Sequence, residues 1–210
     1  GKHISNIIKL EPDENIIYSV PVYDFDLEKY ITIFTKNGMV KRTLINDFKV
    51  LRYSKSINCI KLKDDDKVVS VSDENSKFTF ISTHNGYGLT YLTEEIPVTG
   101  LKSSGVKSIS LKDDFVVSGD IYSEVDDVLV VVTKKNTIKR IRLSSFEITS
   151  RARKGVLIIR DVKTNPYYIL KTFITSSKTH IGLKTKNDIE YIKLTEVPLA
   201  DRYSTGSTMS

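Results

Sequence analysis

The chain has 210 residues, ample for a sizeable core in one or two domains. Its mean hydropathy of −0.20, with no apolar run near the ~18 residues of a membrane helix, excludes insertion of that kind. The single cysteine, Cys59, excludes an intrachain disulfide and fits a reducing, cytoplasmic setting, while a net charge of +6 points to a polyanionic partner.

In chain order, residues 1–10 read as a strand within a repeat, because Ile8-Lys9-Leu10 matches Ile60-Lys61-Leu62 and Ile109-Ser110-Leu111. An acidic turn follows each: EPDEN at 11–15, KDDDK at 63–67 and KDD at 112–114. Adjacent aspartates fan out in different directions and bond their own backbone, so these are expected as solvated turns rather than metal sites. An apolar strand comes next, IIYSV at 16–20, KVVSV at 67–71 and FVVSG at 115–119.

A central hairpin follows in each unit. Its first strand is YITIFT at 30–35, KFTFIS at 77–82, VLVVVT at 128–133 or HIGLKT at 180–185, all rich in β-branched and aromatic residues. Residues 128–132 are apolar throughout, as in a strand buried on both faces. Thr35, Thr83, Thr133 and Thr185 then open the turns TKNG, THNG, TKKN and TKND, at spacings of 48, 50 and 52 residues. Asn37-Gly38 predicts a type I′ turn, which needs positive φ at both central residues. With that register, one of Lys41 and Arg42 is expected to face solvent.

Each unit continues into a short corner, at 44–48, 92–96, 143–148 and 194–198, and then a connecting segment: VLRYSKS, VTGLKSSG, TSRARKG or ADRYSTG. Arg52-Tyr53-Ser54 reappears as Arg202-Tyr203-Ser204. No stretch shows a helical period. The expected fold is therefore all-β: a β-propeller or pinwheel of four-stranded antiparallel blades spanning residues 1–200, with units around hairpins 30–44, 77–92, 128–143 and 180–194. Residues 201–210 are expected as a truncated or disordered tail. Ile33, Val69, Ile81, Val117, Val130 and Ile181 should lie inside. Residues 4–10 hold the strand that the last unit lacks and could close a ring with it; an open arc, or part of a larger ring, is the expectation.

The absence of Trp and of Gly-Gly pairs excludes the WD40 and kelch patterns. The runs TKNGMVKRTLINDFKVLRYSKS and INCIKLKDDDKVVSV resemble the C-terminal DNA-binding domain of the A subunit of bacterial type IIA topoisomerases. Within that family the likeness is to the topoisomerase IV branch, of Gram-positive type, rather than to gyrase. Gyrase A subunits carry a box, Gln-Arg-Arg-Gly-Gly-Lys-Gly, in one connecting segment. The nearest match here, TSRARKG at 149–155, keeps Arg151, Lys154 and Gly155 but lacks the paired glycines.

The resemblance implies a non-catalytic module that binds and bends duplex DNA. It also implies partners in a heterotetramer, namely the remainder of the A subunit with an ATPase B subunit. Catalytic residues would lie in other domains, and no cofactor is implied.

Charge points the same way. Between Lys134 and Lys163 ten cations face Glu147 and Asp161, and between Lys36 and Lys55 six cations face Asp47. The segment from His84 to Lys102 holds one cation and two glutamates. The candidate DNA-binding residues are Lys36, Lys41, Arg42, Arg52, Lys55, Lys134, Lys135, Lys139, Arg140, Arg142, Arg151, Arg153 and Lys154. They recur at the hairpin end and the connecting segment and should line one rim, neutralising phosphates. Units one and three are thereby basic and unit two is not.

Enzymatic constellations are wanting. His3, His84 and His180 lie far apart with no ligand at metal spacing, and Gly86 and Gly88 read as hairpin glycines with no helix to follow. Tyr53 and Tyr203 belong to rim connections. A protein-interaction propeller with a basic rim for an acidic partner is the other function class, and an RNA reader lacks the aromatic strand it needs.

Overall fold

The computed structural model describes residues 6–11, 18–22, 28–48, 57–63, 65–125, 128–175, 180–184, 189–193 and 196–209. Its strands are β1 (Asn6–Glu11), β2 (Tyr18–Val22), β3 (Tyr30–Thr35), β4 (Met39–Leu44), β5 (Ile57–Asn58), β6 (Val68–Ser72), β7 (Phe78–Thr83), β8 (Tyr87–Leu92) and β9 (Val106–Lys107). They continue as β10 (Val116–Tyr122), β11 (Val128–Thr133), β12 (Thr137–Arg142), β13 (Val156–Leu157), β14 (Ile169–Thr175), β15 (His180–Lys184), β16 (Ile189–Lys193) and β17 (Ser207–Thr208). The expected corners are single turns of 3-10 helix, at Ile45–Phe48, Thr93–Glu95 and Leu143–Ser145.

Three four-stranded antiparallel blades result, ordered β6-β3-β4-β9, β10-β7-β8-β13 and β14-β11-β12-β17. The strand that precedes each hairpin in sequence pairs with the hairpin before it: β6 lies against β3 and β10 against β7. This corrects the unit boundaries expected from sequence, because chain order and blade membership differ by one strand. The short outer strands are displaced likewise, since β9, which follows the second hairpin, closes the first blade.

Residues 201–208, expected as a tail, form the edge of the third blade, with β17 paired to Thr137 and Ile138. The three-stranded sheet β2-β1-β5 places β1 beside β2 and β5, and the fourth hairpin is the pair β15-β16.

Strand β10 lies against both β6 and β14, so these first strands are the inner ones and the short β9, β13 and β17 form the rim. Hydroxyls tie the inner strands together: Gly119 N–H donates to Ser70 Oγ at 3.1 Å and Thr172 N–H to Ser118 Oγ at 3.0 Å. A Cβ on Gly119 would lie 2.4 Å from the Phe34 ring, so the first two blades meet as closely as glycine permits.

Both faces of each central strand are covered. Phe80 joins the cluster containing Leu129 and Val131, whereas its neighbour Ile81 joins the cluster of Phe34, Val40 and Tyr91. That arrangement explains the unbroken apolar run at 128–132, with Leu129 and Val131 facing one cluster and Val128, Val130 and Val132 another. Ile33, Ile81 and Val130 are fully buried, and Val69 and Val117 are partly buried against the clusters. The Ile181 side chain lies outside what is described.

Candidate nucleic-acid interface

The loops of the first three hairpins carry three residues rather than two. Gly38 takes φ 85° and Gly86 φ 102°, with Asn136 at 57° in the corresponding place, while Asn37 keeps negative φ. Each loop is a turn closed by the N–H of Gly38, Gly86 or Asn136 on the carbonyl of Thr35, Thr83 or Thr133, at 3.1, 3.1 and 3.2 Å, followed by one left-handed residue. The type I′ expectation is thus corrected: the left-handed residue sits last and forms a bulge. The recurrent threonine now has a reason, because its buried Oγ1 accepts the N–H of Met39, Tyr87 or Thr137 at 3.0, 3.1 and 3.3 Å. Asp66 and Asp114 complete the first two loops, with Oδ1 accepting N–H groups of Asn37 and Lys67, and of Asn85 and Phe115. Asp66 is buried, so it is a loop tie rather than a solvated turn residue.

Register then carries four of the candidate cations inward. Lys41 is fully buried and its Nζ donates to the carbonyls of Gly100, Leu101 and Ser103 at 2.7, 3.1 and 3.2 Å. Lys139 repeats this on Asp201, Arg202 and Ser204 at 2.9, 3.0 and 2.8 Å. Burial lowers both ammonium pKa values to about 8. The neighbouring arginines are ties too: Arg42 Nε donates to Ile96 O at 2.8 Å and Arg140 Nε to Val197 O at 2.7 Å. Arg42 is half-buried, 4.9 Å from the Tyr30 ring centroid, and desolvation lowers its pKa.

The structure therefore removes Lys41, Lys139 and the largely buried Arg140 from the exposed rim. The expectation assumed a sheet with one wet face, whereas here the connecting segment covers the second face.

Blade two has Leu89 and Thr90 where the others have the Lys-Arg pair. Its connection is held by Arg151, whose Nε donates to Glu95 O at 2.9 Å and Nη1 to Lys107 O at 2.6 Å. The connections after the second, third and fourth hairpins each end in a glycine with positive φ, Gly105, Gly155 and Gly206. A Cβ on Gly105 would lie 2.3 Å from the Val40 carbonyl oxygen, so only glycine lets the segment return to the hairpin.

The remaining cations fall into two groups. Lys36, Lys134 and Lys135 sit at hairpin loops and engage neighbours: Lys36 Nζ is 4.7 Å from the Phe115 centroid, Lys134 Nζ is 3.0 Å from His84 Nε2, and Lys135 Nζ donates to Asn165 O at 2.7 Å. Arg142, Arg153 and Lys154 are exposed, Lys154 with its Nζ 4.8 Å from the Tyr87 centroid. Arg52 and Lys55 lie outside the described residues.

The strand exchange reassigns charge. Residues 149–155 lead into β13 and close the second blade, so Arg153 and Lys154 lie on its rim, and the first blade receives the exposed Lys102 and Lys107. Lys102, Lys107 and Arg202 were not among the sequence candidates; the closing glycines Gly105 and Gly206 mark the segments that carry Lys102 and Arg202, and Lys107 follows Gly105 in β9. Among the described residues no three His, Cys, Asp or Glu groups are placed to hold a metal ion, and no helix is long and apolar enough to cross a membrane.

A family model of the DNA gyrase C-terminal domain, described as a β-propeller, matches residues 29–72, 78–121 and 127–176. Each match starts at a hairpin and runs through the inner strand that the structure places in the same blade. The A subunit of DNA topoisomerase 4 from Bacillus subtilis (strain 168) is 40% identical over 210 residues, and its counterpart from Staphylococcus aureus (strain MRSA252) is 32% identical. Both matches cover 99% of this chain, which spans 26% of each relative. The crystal structure of the C-terminal domain of DNA topoisomerase IV superposes with TM-score 0.87 at 38% identity, covering 100% of this chain and 66% of that one. A DNA gyrase A C-terminal domain gives 0.80 at 18% identity, covering 94% and 67%, which shows the fold alone.

Proposed function

This chain belongs to the family of DNA gyrase C-terminal β-propeller domains, and from that premise we propose that it is the duplex-DNA binding and bending part of a topoisomerase IV A subunit. The observation that supports this most directly is the placement of exposed Lys102, Lys107, Arg153 and Lys154, with half-buried Arg202, along the rim segments of three successive blades. Cations in a curved row neutralise successive phosphates and release counterions, which binds a duplex without reading its sequence. Lys36, Lys134, Lys135, Arg142 and, in the connection after the first hairpin, Arg52 and Lys55 extend that set.

The domain itself carries out no bond chemistry in this reading. It presents a DNA segment to catalytic domains elsewhere in the A subunit, which work with the ATPase B subunit in a cytoplasmic heterotetramer to decatenate and relax DNA. The TSRARKG segment, without the paired glycines of the gyrase box, favours topoisomerase IV over gyrase.

The test is duplex binding across a salt series with Arg153→Gln/Lys154→Gln. Two phosphate contacts at about 0.9 each should flatten the log-log slope by roughly 1.8, with thermal stability unchanged because both groups are exposed. An unaltered affinity and slope would instead favour a rim built for an acidic protein.

A further inference from the structure

One apolar side chain per blade stands out of the rim at an equivalent place. Val98, Ile148 and Leu199 are 42%, 42% and 43% exposed. Each stands seven residues before the positive-φ glycine that ends its connection. In each case the next residue donates its N–H to the outer hairpin strand: Thr99 to Arg42 O at 2.8 Å, Thr149 to Thr90 O at 2.9 Å and Ala200 to Arg140 O at 2.8 Å.

None of the three belongs to a buried core cluster. Two residues earlier, Ile96, Phe146 and Val197 are buried and anchor the segment. Single exposed aliphatic residues are ordinary on a protein surface, but the same chemistry at the same position in three blades is not scatter.

What surrounds these side chains selects the partner. Each begins a segment that carries exposed or half-exposed cations: Lys102 in the first blade, Arg153 and Lys154 in the second, Arg202 in the third. An apolar tip in a cation-bearing segment would complement a duplex whose minor groove faces the rim, where aliphatic side chains meet sugar edges or open a base step.

We propose that Val98, Ile148 and Leu199 are minor-groove contacts that set the curvature of duplex DNA, one bending point per blade. This deepens the DNA-binding reading above and rests on it.

The experiment compares the native chain, Val98→Ser/Ile148→Ser/Leu199→Ser and the conservative Val98→Leu/Ile148→Leu/Leu199→Ile. Energy transfer between dyes at the two ends of a duplex reports bending, and a salt series reports phosphate contacts. The serine variant is expected to lose most of the native energy-transfer gain and about tenfold in affinity while keeping the native salt slope. The conservative variant should bend DNA as the native chain does.

Native-like bending by the serine variant overturns the proposal, as does equal loss in both variants, which would mark a structural role. If the triple serine chain does not fold, single serine variants are read the same way, each expected to lose part of the bending. Failure of the native chain to bind duplex would overturn the DNA-binding reading itself, a result distinct from native binding that the serines leave untouched.

Discussion

Ala152 holds φ 67°, in the left-handed region that costs an L-residue with a Cβ roughly 1–2 kcal/mol. It does so where its segment turns across to the neighbouring connection, with its N–H on Ser108 O at 2.9 Å and Ser110 N–H on Arg153 O at 2.9 Å. In the gyrase box aligned on Gly155, this position is a glycine, so the replacement keeps the backbone path and stores strain. Ala152→Gly should raise stability by about 0.5–1 kcal/mol in urea unfolding, the strain relief outweighing the added freedom of the unfolded chain. Loss of stability would mean that the alanine methyl packs more favourably than the turn is strained. The cation-rich neighbours Arg153 and Lys154 stay exposed in either case, so the salt slope of duplex binding should not move.

At the scale of elements, the Lys-Arg pair within β4 and β12 illustrates how one motif serves the fold rather than the ligand. Lys41 holds the loop at residues 100–103 by three charge-assisted hydrogen bonds, and Lys139 holds 201–204. Removing the ammonium leaves three carbonyls that must find water at a covered edge. Lys41→Leu should therefore cost about 2–4 kcal/mol, read from the urea midpoint.

Blade two indicates the remedy. Leu89 occupies the lysine position there, and Arg151, aligned with Leu101, ties the connection instead. The double variant Lys41→Leu/Leu101→Arg should recover part of the loss. A double variant no more stable than Lys41→Leu would show that the arginine tie depends on Glu95 and not on position alone, since Glu95 Oε1 also accepts the Arg151 N–H at 3.1 Å.

Across the whole molecule, exchange of the first and last strands between consecutive units makes each blade a product of distant segments. Blade one contains residues 30–44, 68–72 and 106–107; blade three contains 128–142, 169–175 and 207–208. Deleting residues 199–210 removes β17 and all three acceptors of Lys139, and it uncovers the β12 edge. Backbone amides of residues 137–142 should then exchange with solvent much faster, while protection of β3 and β4 is retained, measured by hydrogen exchange resolved along the chain. Unchanged protection at 137–142 would show that the rim strand contributes nothing to the blade.

The sequence by itself determined the repeat and the four hairpins, because β-branched apolar runs and a recurring threonine before a turn are local properties. Thr35, Thr83 and Thr133 were legible for that reason, and so was the run at 128–132 as a strand covered on both faces. Only the tertiary structure decided which hairpin each flanking strand joins, since Val68 could pair by local pattern with the strand on either side of it, and packing of β6 against β10 settles the choice. It also decided which cations meet solvent. Alternation places Lys41 and Arg42 on opposite faces, but whether a face is wet depends on a segment some sixty residues away, whose carbonyls draw Lys41 into the blade, whereas Arg153 and Lys154 stay exposed.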